Sequence, residues 1–262
     1  MDLATILGII IALGSVLGGF ILEGGHLKSV SQLTAGIIVV GGMIGAIFVQ
    51  FPMAHLKKTV GSIKILFLPG HTDMVGLVRE LVDYAQKARR EGIVSLETDV
   101  DKVADPFLKK AMRLAVDGTE SRVVREAMEV ELTIAEEEGE APCKVFEAGG
   151  GYAPTVGILG AVLGLIHVME NLAEPDKLGA GIATAFVATV YGVAVANLFM
   201  LPMAGKLKTR HKHAMMKYEL IITAVTAIID GENPRLIEQK LYGFCGEEGQ
   251  VAAEQGNMKK AA

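Results

Sequence analysis

The sequence predicts an all-α integral membrane protein with four transmembrane helices and a helical cytoplasmic domain. Three observations carry this. Four long runs contain no Asp, Glu, Lys or Arg. The mean hydropathy is +0.41, with 31 glycines and no tryptophan, and glycine is more frequent in membrane helices than in soluble ones. Basic residues are also unevenly spread. The two short loops hold one each, Lys28 and Lys177, whereas Lys57 to Glu147 holds fourteen and the stretch after Ala204 holds nine. Lys and Arg mark the cytoplasmic side of a membrane protein. Both termini and the large loop are therefore expected in the cytoplasm.

Four segments follow. Residues 1–56 form a transmembrane hairpin, with spans at about 3–22 and 33–56 joined by EGGHLKSVS. The first run is about as long as the hydrocarbon core requires, and with no basic stretch before it a retained span is expected rather than a cleaved signal. Gly14 and Gly18 give it a small face. Gly41, Gly42, Gly45 and Ala46 do the same in the second run, with Pro52 near its end. Residues 57–147 form the cytoplasmic domain. There Asp73 is a candidate N-cap, Val75, Val78, Leu81, Val82 and Ala85 recur at helical spacing, and Asp83 with Lys87 forms an i, i+4 pair. Gly92 is placed to end that helix. Ser95, or Thr98 with Asp101 as a capping box, starts the next. Asp105-Pro106 reads as an N-cap followed by proline at the first helical position. Asp117-Gly118-Thr119 is a turn, and a long helix then runs through Val123, Ala127 and Leu132. Residues 148–204 form a second hairpin, with spans at about 148–169 and 178–204. Residues 205–262 begin with a helix over about Lys206–Ile229, closed by Asp230-Gly231 and Pro234, and end in a mobile tail from about Gly246. The Leu220–Ile229 core is too short for a fifth span.

The third span, GGGYAPTVGILGAVLGLIHVM, has the most pattern. Gly160 and Gly164 form a GxxxG pair, and Ala153 and Gly157 a small pair before it. Such pairs let helix backbones approach closely in lipid. Pro154, Gly157, Ala161 and Gly164 share one stripe, which predicts a face turned to protein or a water path and, through Gly160, contact between chains in a ring. Pro154 also frees a backbone carbonyl.

What is missing also bounds function. No catalytic triad, phosphate-binding loop or metal-spaced cluster is present, so no enzymatic activity, cofactor or metal is expected. His211 and His213 are two ligands where sites need three or four. The net charge of -5 and the lack of basic-aromatic interleaving argue against nucleic acid. Cys143 and Cys245 have no CxxC spacing and are expected as reduced thiols. No Asp or Glu lies inside any of the four runs, although an ion path through a membrane normally needs a buried carboxylate. The hydroxyls of Tyr152, Thr155, Thr184, Thr189 and Tyr191 remain, with His167. If the chain conducts ions, another chain must supply the carboxylate.

From Met1 to about Gly243 the chain resembles the MotA/PomA family, the A subunits of the bacterial flagellar stator. The resemblance rests on MDLATILGIIIALG, IIVVGG, RREGIVSLE, APTVGILGAVLGLI and ATVYGVAVAN. The related ExbB/TolQ energisers, which pass proton flux to the outer membrane, are a more distant match, because they usually have three spans and lack RREGIVSLE. A scaffold that merely binds partners is the rival of another class. The family resemblance implies an inner-membrane, multi-pass protein. It implies a homopentamer around a dimer of a MotB/PomB-type B subunit that supplies the membrane aspartate. Ion flow would then turn the ring and drive the rotor switch protein FliG.

Carried onto this sequence, the resemblance implies rotor contacts at Arg89 and Glu97, with Arg90 adjacent, and conformational coupling at Pro154 and Pro202. It places Pro154, Thr155, Ala161, Thr189 and Tyr191 along the ion path facing the B subunit, and Gly157, Gly160 and Gly164 in helix packing. Sodium-driven members carry a threonine seven residues after the third-span proline, where this chain has Ala161. The implied transported ion is therefore the proton.

Overall fold

The structure, a computed structural model, describes residues 2–68, 73–170, 175–246, 249 and 251. Among these residues every regular element is helical. In chain order they are α1 (Leu3–Leu22), α2 (Leu27–Val30), α3 (Leu33–Gly36), a π turn (Ile37–Gly41), α4 (Gly42–Gln50) and α5 (Met53–Phe67). Then come α6 (Met74–Glu91), a 3₁₀ turn (Ile93–Leu96), α7 (Glu97–Val100), α8 (Pro106–Val116) and α9 (Ser121–Glu170). The last are α10 (Pro175–Ala194), a second π turn (Val195–Met200), α11 (Leu201–Ile229) and α12 (Pro234–Tyr242). Among the described residues, four stretches are long and apolar enough to cross a membrane: Leu3–Leu22, Leu27–Gln50, and windows within Ser121–Glu170 and Gly181–Ile229. The fold is that of an all-α, four-span membrane protein.

The chain divides into two compact units. The first combines Met1–Gly70 with Gly139–Arg210, and the second His71–Glu138 with His211–Ala262. The first holds the membrane spans. No residue of α1 is buried, and Leu3, Leu7, Ile10 and Ile11 are more than half exposed, as a lipid-facing helix requires. The other spans pack through small patches, one joining Ala35 and Val39 to Val187 and Ala188 and another joining Met43 and Ile47 to Ala153 and Ala196. The second unit has an aqueous-type core. Leu81, Leu96, Leu108, Met112 and Met128 are fully buried there with Leu220, Ile221 and Ile237. Each such side chain contributes about 1.5–3 kcal/mol of transfer free energy. Phe107 stacks on Tyr218 with ring centroids 4.1 Å apart. The Leu220–Ile229 stretch thus lies in this core.

The local caps form where the chemistry places them. Asp73 accepts from the Gly76 N–H at 2.7 Å. Asp105 accepts from the N–H groups of Phe107 and Leu108 at 2.8 and 3.1 Å, with Pro106 opening α8. Gly92, Gly118 and Gly231 end their helices at φ of 85°, 79° and 67°, backbone that side-chain-bearing residues rarely adopt.

Several elements differ from expectation. The apolar run of the second span reaches residue 56, but its helix stops at Gln50. Phe51 is extended (φ −115°, ψ 139°) because the residue before a proline is pushed out of the helical region, and α5 is a new helix. Thr98 opens no helix. It sits inside α7, after the 3₁₀ turn. Residues 121–170 form one helix across the expected boundary at 147/148. The fourth span likewise continues through Pro202 into the tail helix. Pro202 cannot donate to the carbonyl four residues back, and the π turn before it takes up the mismatch. Pro234 opens α12, with Asn233 as its cap. The tail from Gly246 lies almost wholly outside the described residues.

Candidate functional site

Two places gather the residues singled out by sequence. In the membrane unit, α9 and α10 meet along their small residues. A methyl group on Gly157 would lie 2.9 Å from the Ala188 carbonyl oxygen, and one on Gly164 would lie 3.0 Å from the Ala185 Cβ. One on Gly192 would lie 2.5 Å from the Ala153 carbonyl oxygen and 3.1 Å from the Pro154 Cα. Gly160 meets both Ala188 Cβ, at 3.0 Å, and Ile38 Cγ2, at 3.1 Å. These glycines therefore pack helices of one chain. Pro154 and Ala161, on the same stripe, are only half-buried by the chain's own helices.

The polar residues near this crossing are spread around it. Thr155 is exposed, and its hydroxyl donates to the Tyr152 carbonyl at 2.9 Å. Ala161 and Thr189 are half-buried, as is Pro154. Tyr191 does a different job. Its hydroxyl donates to the Val30 carbonyl at 2.6 Å and accepts from the Gln32 N–H at 3.2 Å, which ties α10 to the turn between α2 and α3. Pro202 is exposed and lines an apolar cavity of about 480 Å³ with Ala4, Gly8 and Ala12 of α1. Beside it Asp2 pairs with Lys206 and with Arg210.

The second place is the charged end of α6. Arg89 and Arg90 lie in the last turn of α6, where the helix dipole favours cations. Both are exposed, as is Glu97, and among the described residues none of the three forms an ion pair. The turn between them is fixed. The Gly92 N–H donates to the Ala88 carbonyl at 2.9 Å, and the Ser95 hydroxyl donates to the Gly92 carbonyl at 2.7 Å. Lys87 Nζ donates to Asp99 Oδ2 at 2.7 Å, and Lys102 stands 3.5 Å from Oδ1. The hydrogen bond from Lys87 holds the Asp99 carboxyl below its ordinary pKa and raises that of Lys87 in turn. Asp99 therefore clips the segment carrying Glu97 to the helix carrying the arginines. Sequence reasoning missed this clip, which joins residues twelve apart. It also missed Gly192, although Ala188 and Gly192 have the small-xxx-small spacing that signals close packing.

Comparison with known proteins places the chain. Residues 99–220 match the MotA/TolQ/ExbB proton channel family, and residues 6–92 match the motility protein A N-terminal family. Motility protein A of Bacillus subtilis (strain 168) is 34% identical over 99% of this chain and 97% of its own length. This chain belongs to the motility protein A family. It is a family of membrane channel subunits and not of enzymes. Among solved structures, that of C. jejuni MotAB superposes with a TM-score of 0.89 at 33% identity, covering 93% of this chain and 96% of that one. The flagellar MotAB stator complex from Bacillus subtilis gives a TM-score of 0.86 at 33% identity, covering 94% and 97%.

Proposed function

We propose that the chain is the A subunit of a flagellar stator in the bacterial inner membrane, with both termini cytoplasmic. Five copies would surround a B-subunit dimer that supplies the membrane aspartate. Proton flux would turn the ring, and Arg89, Arg90 and Glu97 would push the rotor switch protein FliG. The observation that carries this reading is the match over nearly the whole chain to motility protein A and to MotAB complexes. Two features fit it. The four apolar runs hold no carboxylate, so a channel needs a second chain. The two arginines and Glu97 are exposed, form no ion pair among the described residues, and are braced from behind, as a contact surface requires. Pro154 and Pro202 each lack the backbone N–H of a regular helical hydrogen bond, which gives two points at which a helix could bend as the ion passes. The match of residues 6–92 to the motility protein A N-terminal family favours this reading over the ExbB/TolQ alternative.

The test reverses charge at both contact positions, Arg89→Glu with Glu97→Arg, in the full stator. Swimming should be lost while the complex stays in the membrane at its normal level. Normal swimming by this variant sinks the rotor contact.

A further inference from the structure

The arginine end of α6 does not stand alone. α12 packs beside it, and between them lies an open, polar cavity of about 350 Å³. Gln86, Arg89 and Arg90 line it from α6, and Arg235 and Glu238 from α12 together with its cap, Asn233. Arg235 is exposed and, like the other two arginines, forms no ion pair among the described residues. It sits in the first turn of α12, where the Asn233 side chain accepts from its backbone N–H at 3.0 Å. The positive pole of the helix faces the same end. Three guanidiniums and a helix pole around one opening make a strongly cationic groove.

We infer that Arg235 belongs to the same docking surface as Arg89 and Arg90, and that the groove takes a carboxylate-bearing segment of a protein partner. The inference rests on the rotor-contact reading above and adds to it a residue and a partner chemistry. Arginine carries a planar fork that matches carboxylates in paired hydrogen bonds. All three arginines are exposed, so the groove is a surface rather than a closed small-molecule site. Leu236, 46% exposed on α12, offers an apolar contact of the kind that protein interfaces use.

The experiment measures binding of the intact A–B complex to purified FliG from the same cell. Arg235→Glu is compared with Arg89→Glu and with the unaltered complex. An acidic residue in the first turn of a helix is favourable, so Arg235→Glu leaves α12 intact. Binding by Arg235→Glu should fall about tenfold near 0.1 M salt, which corresponds to about 1.4 kcal/mol. The gap should narrow towards 1 M, where the screening length drops to about 3 Å. Loss with both variants supports the inference. Loss with Arg89→Glu alone overturns it and leaves the rotor contact standing. No loss with either overturns the rotor contact itself, and this inference with it. If the Arg235→Glu complex does not assemble, Arg235→Gln takes its place, with weakened binding again supporting the inference and unchanged binding overturning it. Competition by inorganic phosphate, but not by chloride at equal ionic strength, would show a small-anion site and overturn the inference.

Discussion

Asp99 shows how a residue can matter to a proposed contact that it does not itself make. Exposed charges such as Arg89 and Glu97 are individually worth about 0–1 kcal/mol, so their effect depends on being held in register. The Lys87–Asp99 hydrogen bond at 2.7 Å sets that register. Asp99→Asn keeps the shape and removes the charge. It should slow swimming while the amount of stator in the membrane stays normal; unchanged swimming removes the clip. The pH sense is fixed by the direction of the shift. The folded Asp99 carboxyl lies below its ordinary value of 3.8, so the clip is fully present above that value and is lost as pH falls through the lower folded one. The thermal stability of the unaltered complex should exceed that of Asp99→Asn near pH 7. The difference should close only below about pH 4. Much at this scale is legible in sequence. Asp73, Gly92 and Asp105 act within four residues of themselves, so their roles can be read locally. The exposure of Arg89 and Glu97 follows from the same turn. The Lys87–Asp99 pairing and the approach of Arg235 are not local, and no spacing rule announces them.

Helices carry the next level, and there the sequence reveals that the glycine stripe is small but not which neighbour it meets. GxxxG spacing states that a face permits close approach; it does not state which helix arrives. The partner is α10 of the same chain, met through Ala185, Ala188 and Gly192. The end of the second span is hidden for a related reason. Pro52 is visible, but an apolar run through His55 and Leu56 masks the break that geometry forces at Phe51. The packing makes a contrast that can be measured. A methyl group on Gly192 would lie 2.5 Å from a backbone oxygen, which cannot yield as a flexible side chain can. Gly192→Ala should destabilise the complex by about 1–3 kcal/mol, as overpacking does. Gly45 has nothing within 4 Å of its added methyl, so Gly45→Ala should be neutral or slightly stabilising through helix propensity. Thermal unfolding of the two variants in the same detergent reports the difference. Equal melting temperatures would mean that α9 and α10 are not held at this distance.

At the scale of the whole molecule, the distribution of oxygen ligands bears on which ion drives the complex. No carboxylate lies within the four apolar runs, so in the proposed complex the charge is carried by the B subunit's aspartate. This chain can add only neutral oxygens. Sodium needs several of them to replace its hydration shell, whereas a proton can pass along water to a carboxylate. Ala161 offers a methyl group where sodium-driven members of the family have a hydroxyl. Thr155 donates its proton to the Tyr152 carbonyl, which leaves its oxygen able to act as a ligand, whereas the Tyr191 hydroxyl both donates to Val30 and accepts from Gln32. Thr155 and the half-buried Thr189 then offer two hydroxyl oxygens among the residues that the family resemblance assigns to the path, fewer than sodium needs to replace its hydration shell. We therefore expect swimming to persist in sodium-free buffer and to stop when a protonophore is added. Ala161→Thr should change the ion dependence or block flux if Ala161 lines the path as the family resemblance implies, because it adds a hydroxyl there. Torque that disappeared without sodium yet survived the protonophore would reverse the assignment. It would mean that backbone carbonyls freed at Pro154 complete a cation site that the side chains alone cannot.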